Sequence, residues 1–395
     1  MIGNAELQLI QATLRVDEDR DAAIRTAAQQ LLDWKQVQRL AKYHGVLPLV
    51  YKRLQEVAPD LVPSDPMQEM TTWQKAHEFR VFQMTVDLVK VVRALEAENI
   101  PVLCLKGPTL ATLAYGDPAL RCYGDLDILV KQCDYPRAEA VLYALGAISF
   151  LQNDKIFSME QERHSSFQYH HSHVEVHWRV TTREFPRALN ISDCFASSRS
   201  IAVNGQPIST LSAADVAMHA CHHGTQHCWA KFRYVGDLAI ALRAIDVQKW
   251  DMLLYAAREQ GLYRPMLVGM CLCHELLGVV LPDEIMRAVH RDPLARLAIR
   301  LVRSHLGRAS EAGVDVFDRL AFKLVTAEKE RCYSIVALLT SMFTPTISDF
   351  QWINLPKKLR WLYPVLRPIR RIGRGVAVFR TRNRRCFDLS SGVGK

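Results

Sequence analysis

Asp125-Leu126-Asp127-Ile128-Leu129-Val130 alternates polar and apolar residues and then closes as an apolar run. Strand side chains point to alternate faces, so the segment predicts a strand with Asp125 and Asp127 on one face and Leu126 and Ile128 in a core. On such a strand the two carboxylates stand about 6–7 Å apart and repel each other unless a cation lies between them. Hard divalent cations such as Mg2+ take that oxygen set and complete it with phosphate oxygens. Carboxylates so placed support displacement at phosphorus. A lone Asp-x-Asp is also common in loops and at strand ends, so the flanking segments must carry the reading.

Upstream, Pro101-Val-Leu-Cys-Leu105 is a short apolar run bounded by Pro101 and Gly107, which suits a buried strand. Lys106-Gly107-Pro108 then turns the chain into Thr109–Tyr115, a predicted helix with proline in its first turn. Glycine there lets a phosphate approach the backbone, and the N–H groups of a helix start favour anions. Downstream, His173-Val-Glu-Val-His-Trp178 places Val174, Val176 and Trp178 on one face and His173, Glu175 and His177 on the other. Glu175 is therefore the candidate third acid. The competing reading is an exposed strand face carrying solvated polar groups.

The chain resembles the uncharacterised nucleotidyltransferase family of the DNA polymerase β-like superfamily. The resemblance is carried by Asp33-Trp34 with Ala41-Lys-Tyr-His-Gly-Val46, Leu105-Lys-Gly107, Tyr115 with Arg121, Asp125-Leu-Asp-Ile-Leu129 and Val174-Glu-Val-His-Trp178. Further on come His219-Ala-Cys-His-His-Gly224 with Trp229, and Asp237-Leu-Ala239, so that the segments run from about residue 30 to about residue 245. It implies an α+β fold: a small mixed β-sheet nucleotidyltransferase core flanked by N-terminal and C-terminal helical regions. It also implies a metal-bound nucleoside triphosphate and transfer of its nucleotidyl group to an acceptor. On this reading Asp125, Asp127 and Glu175 are the catalytic and metal-holding residues, for Mg2+ with Mn2+ as a substitute. Lys106, Gly107 and Arg121 position the triphosphate, and His177 is a further nucleotide-binding candidate open to a base or supporting role. Relatives that accompany bacterial genes for exopolysaccharide or lasso-peptide production imply a peptide, glycan or small-metabolite acceptor. Two alternatives stand beside it: toxin-like transfer to a tRNA end, and a non-catalytic nucleotide-binding scaffold.

One departure from the superfamily is plain. Its Gly-Ser or Gly-Gly turn is Gly107-Pro108 here, and Asp125 follows Gly107 at an interval of eighteen positions. Proline has no N–H, so one phosphate donor is missing, and Lys106 and Arg121 are the expected cationic replacements.

Composition sets the outer bounds. Hydrophobic residues make up 49% and charged residues 23% of 395 residues, ordinary values for a globular chain of two or three domains. The ten cysteines include no Cys-x-x-Cys pair, which predicts reduced thiols and a cytoplasmic protein rather than a disulfide framework. The N-terminus lacks a signal-peptide pattern, and no apolar stretch reaches membrane-spanning length. The net charge of +9 is concentrated: Lys357–Arg385 holds eleven Lys or Arg and no acid, and the remainder is nearly neutral. With Trp352, Trp361, Tyr363 and Phe379, residues 352–386 suit an anionic membrane surface or an acidic partner; no RNA-binding motif favours nucleic acid. A solvated basic extension partly packed on the body is the simpler alternative.

The expected organisation is an N-terminal helical region (1–98), the αβ core (99–210), a helical domain (211–345) and the basic extension (346–395). Within it, Tyr135–Leu145 reads as a helix stopped by Gly146, Asn204-Gly205 as a hairpin turn, and Ser212 with Asp215 as a helix start. Two rival metal constellations remain: His219, His222, His223 and His227 with Cys221 and Cys228, and His173-Glu175-His177. Asp237 is expected to pair with Arg233 at i,i+4.

Overall fold

The computed structural model describes residues 4–150, 164–181, 189–307, 314, 316–327, 343–345, 349, 352–353 and 355–370. The chain divides into two units, residues 1–311 and 312–395.

The first unit opens with helices α1 (Ala5–Leu14), α2 (Arg20–Ala28), α3 (Trp34–His44), α4 (Leu47–Val57) and the long α5 (Ser64–Ala97). Asp33 starts α3 by accepting the N–H groups of Lys35 at 3.0 Å and Gln36 at 3.1 Å, satisfying donors a helix start leaves free. Gly45 stops it at φ +70°, and a Cβ there would lie 2.8 Å from the Arg233 side chain, so only glycine allows this close approach. The Asp33-Trp34 and Ala41–Val46 segments thus cap and stop one helix.

The sheet follows: β1 (Leu103–Cys104), α6 (Pro108–Tyr115), β2 (Asp125–Leu129), α7 (Tyr135–Ala144), β3 (Ile148–Ser149), β4 (His164–Tyr169), β5 (Ser172–His177), α8 (Ile191–Ala196), β6 (Arg199–Val203) and β7 (Gln206–Thr210). Its order is β3-β4-β5-β2-β1-β7-β6, mixed in direction: β2 runs parallel to β5, and β1 runs antiparallel to β2 and parallel to β7. Asn204 and Gly205, both at positive φ, close the β6–β7 hairpin. A second hairpin, β4–β5, turns at His170 and His171. The α+β class expected from the sequence is the one observed.

One face of the sheet rests on α5. Val81, Met84, Leu88, Val91, Val92 and Leu95 recur at helical spacing and join Leu126, Ile128, Val174, Val176 and Trp178 in one buried cluster. Truncating such a residue, Leu88→Ala for example, removes about 2–5 kcal/mol. Asp87 on the same helix accepts a hydrogen bond from the Ser172 hydroxyl at 2.7 Å and lies 2.9 Å from His170 Nδ1, so α5 also holds the β4–β5 turn.

Helix then returns as α9 (Ala213–Gln226), α10 (Phe232–Arg243), α11 (Trp250–Glu259), α12 (Tyr263–Leu277), α13 (Asp283–Arg291) and α14 (Pro293–Leu306). Ser212 caps α9 by accepting the Asp215 N–H at 3.2 Å, as its spacing suggested. Among the described residues no helix is long and apolar enough to cross a membrane.

In the second unit, α15 (Val316–Thr326) is followed by a buried ion cluster. Arg367 and Arg370 hold the carboxylate of Asp349 at 2.6 and 2.7 Å, and all three side chains are buried. Two arginines of the basic extension are therefore internal. The run from 371 onward lies outside the described residues.

His44 links the N-terminal helices to α10 by accepting the Phe232 N–H at 3.3 Å, and it is 2% exposed. Burial, reinforced by the charge of Lys231, pulls its imidazole down to about 3; burial and Arg80 pull His77 down to about 4. Both stay neutral in the folded chain while the unfolded chain takes up protons below about pH 6.5. The sign follows: folded stability is full above that pH and falls beneath it, by up to about 1.4 kcal/mol per pH unit for each group. Denaturant unfolding from about pH 7 to about pH 5 should show this decline, with a slope shallower by up to one proton in His44→Asn. An unchanged slope in that variant would contradict the assignment.

Candidate active site

Strand β2 puts Asp125 and Asp127 on one face, while Leu126 and Ile128 are buried beneath. Its parallel partner β5 pairs Asp127 with Glu175 in register. Residues paired across neighbouring strands project to the same side, so the third carboxylate arrives beside the first two. Carboxylate oxygens of Asp125, Asp127 and Glu175 lie within 4.8 Å of one another. Asp127 is 1% exposed; Asp125 and Glu175 are partly open.

Lys106 reaches the same place from the turn after β1. The Leu105 N–H donates to the Asp127 carbonyl at 3.0 Å, which carries the β1–β2 pairing up to the turn. Gly107 then bends the chain at φ +70° and ψ −130°, a conformation open mainly to glycine, and α6 begins. The Lys106 ammonium sits 3.0 Å from Asp127 Oδ2 and 3.3 Å from Asp125 Oδ2.

Two imidazoles complete the cluster. His177 Nε2 lies 3.0 Å from Asp127 Oδ1 and 3.3 Å from Glu175 Oε2. His164, opposite His177 in the β4–β5 register, stacks on it with ring centres 4.9 Å apart and places Nε2 3.8 Å from Glu175 Oε1. Burial alone would raise the Asp127 pKa, but Lys106 and His177 outweigh it and hold the carboxyl far below the usual range. Glu175 is lowered as well: burial and the charge of Asp127 oppose the shift, while the His177 hydrogen bond and His164 produce it. Burial lowers the Lys106 pKa, yet Asp127 and Asp125 more than compensate and raise it. The group is a partly enclosed set of three carboxyl side chains beside one ammonium. That donor chemistry fits a hard divalent cation with open positions for phosphate oxygens.

Residues 30–278 match the family model described as an uncharacterised nucleotidyltransferase. The chain belongs to that family. It is a nucleotidyltransferase, and its matched region contains every side chain of the cluster. Two structures of the antibiotic-resistance factor ANT(2'')-Ia are also similar. Its solution structure aligns at 14% identity over 44% of this chain and 92% of that one, with a TM-score of 0.33. Its crystal structure with adenylyl-2''-tobramycin aligns at 16% identity over 46% of this chain and 99% of that one, with a TM-score of 0.34. Comparison with curated proteins gives no match.

Other residues singled out in the sequence have partners outside the carboxylate cluster. Arg121, expected near the phosphates, donates instead to Asp237 on α10 through Nε at 2.8 Å and Nη2 at 2.7 Å, with both side chains buried. Asp237 was expected to hold Arg233; that guanidinium lies over the Tyr234 ring at 5.0 Å. A buried carboxylate needs two-point neutralisation, which the planar fork of Arg121 supplies. His173 shares a face with Glu175 but turns its ring edge to Phe150 at 5.2 Å. His223 on α9 meets the rings of His219, one turn earlier, and of His227, the residue after the helix, and among the described residues the three join no cluster of metal-ligand geometry. Burial first, then the nearby charge of Lys106, keeps His223 well below its ordinary pKa. His164 was missed: its strand, His164-Ser-Ser-Phe-Gln-Tyr169, alternates weakly, and the His170-His171 turn carries no glycine or asparagine to mark a hairpin.

Arg121→Met would strand the Asp237 carboxylate in the core and should cost about 3–5 kcal/mol in denaturant unfolding. The double variant Arg121→Met/Asp237→Leu should recover most of that loss. Wild-type stability in the single variant would contradict the structural role.

Proposed function

We propose that this enzyme transfers a nucleoside monophosphate from an NTP to an acceptor hydroxyl and releases pyrophosphate. The observation that carries the reading is the meeting of Asp125, Asp127 and Glu175 on two paired strands, with their oxygens within 4.8 Å of one another. These three would hold Mg2+, or Mn2+ in its place. When bound, such a cation neutralises charge on the triphosphate and on the leaving pyrophosphate.

The remaining work falls to the chain. The acceptor oxygen forms a bond to the α-phosphorus as the bond from that phosphorus to the bridging oxygen breaks, and pyrophosphate carries the electron pair away. Lys106, released from Asp125 and Asp127 once a cation neutralises them, supplies a mobile ammonium to the phosphates. Gly107 lets the phosphates approach the backbone where α6 begins. His177 fixes the orientation of Asp127 and Glu175 through its Nε2 contacts. Glu175, the partly open member held as a carboxylate, receives or directs the acceptor proton. A peptide, glycan or small-metabolite hydroxyl fits this chemistry, in a cytoplasmic bacterial biosynthetic setting.

Calorimetric titration with a panel of non-hydrolysable NTPs, with and without Mg2+, tests the reading. Binding should require the cation in the wild-type protein and be abolished in Asp125→Asn/Asp127→Asn while the fold persists. Cation-independent binding, or binding that survives the double substitution, would overturn it.

A further inference from the structure

Glu175 faces two ways. Its Oε2 lies 3.3 Å from His177 Nε2, and its Oε1 lies 3.8 Å from His164 Nε2. One ligand atom from each of His164, Glu175 and His177 falls within a common span of 4.8 Å, a grouping distinct from the three carboxylates. We propose that His164, Glu175 and His177 form a second cation site that takes a transition cation of the Zn2+ or Co2+ type and shares Glu175 with the acidic set.

The geometry suits such a cation. Ligands about 2.0–2.1 Å from a tetrahedral centre stand about 3.4 Å from one another. The His177–Glu175 edge already has that length, and the His164–Glu175 edge exceeds it by about 0.4 Å, within reach of a side-chain adjustment. The antiparallel β4–β5 ladder fixes the backbones of His164 and His177 as direct partners, and their rings, stacked at 30°, would swivel apart to converge on one cation. His177 is 4% exposed, while His164 and Glu175 are partly open.

Donor type separates this site from its neighbour. Imidazole nitrogens favour Zn2+ and Co2+, whereas an all-carboxylate set favours Mg2+ and Mn2+. Strand β5 therefore offers two kinds of coordination on one face. Because Glu175 serves both, a transition cation draws that carboxylate toward the imidazoles and leaves the acidic set with its two aspartates. Cations of the two classes oppose each other at this point. The inference concerns binding alone and stands whether or not the transfer reaction proposed above is correct.

Co2+ titration of tag-free protein, followed by visible ligand-field absorption, tests the site. The wild-type protein and Asp125→Asn should both develop the intense band of a four-coordinate N/O site, and Zn2+ should erase it. His164→Gln should bind Co2+ roughly tenfold or more weakly. X-ray absorption of the Zn2+-loaded wild-type protein should show scattering from two imidazoles, a readout independent of any variant. Absence of the band, its loss in Asp125→Asn with retention in His164→Gln, or an all-oxygen shell around Zn2+ would overturn the proposal.

Discussion

The ammonium of Lys106 lies between Asp125 and Asp127, 3.3 and 3.0 Å from their oxygens, and the local structure depends on that contact. A carboxylate as enclosed as Asp127 costs several kcal/mol to bury unless a positive charge accompanies it. Asp127 is the member that most needs such compensation, because Asp125 and Glu175 are partly open to solvent. A lysine serves better than an arginine here. Its compact charge on a flexible stem is held less rigidly than a planar guanidinium in a two-point contact would be. Lys106 thus compensates Asp125 and Asp127 in the free protein.

The surrounding fold exists to keep these charges in register. Parallel pairing of β2 with β5 sets Asp127 against Glu175, and a one-residue slip would send Glu175 to the opposite face and bury it against α5. Asp87 holds the turn of the β4–β5 hairpin, which fixes His164 opposite His177. Arg121 and Asp237 tie the segment before β2 to α10, with the two-point contact that a buried pair requires. His44 joins α3 to the start of α10. Polar links thus secure the site's supports while apolar packing on α5 supplies their bulk stability.

Period-two patterning made much of the core legible. Alternation in Asp125–Leu129 and Ser172–His177 gave both strands and the facing of their acids, because one buried face forces strict alternation. Asn204-Gly205 gave a hairpin through its turn chemistry, and Gly146 a helix end through its φ of +85°. Long-range partners were not legible. Nothing local distinguishes an Arg121 that meets phosphate from one that meets Asp237, since 116 residues separate the pair. His164 escaped notice for the same reason: its role comes from the strand register and not from its own neighbours in sequence. The tail shows the limit of charge counting, because Asp349 draws Arg367 and Arg370 inward although the stretch reads as uniformly basic.

On the function proposed above, a divalent cation takes the place of the Lys106 ammonium among the carboxylates. A crystal structure with Mn2+ and a non-hydrolysable NTP, with data collected for the anomalous signal of manganese, measures this directly. The expected result is an anomalous peak bounded by Asp125, Asp127 and Glu175, with Lys106 Nζ withdrawn from both aspartates and placed on phosphate oxygens. A peak elsewhere, or a Lys106 still seated between Asp125 and Asp127 with nucleotide bound, would contradict it.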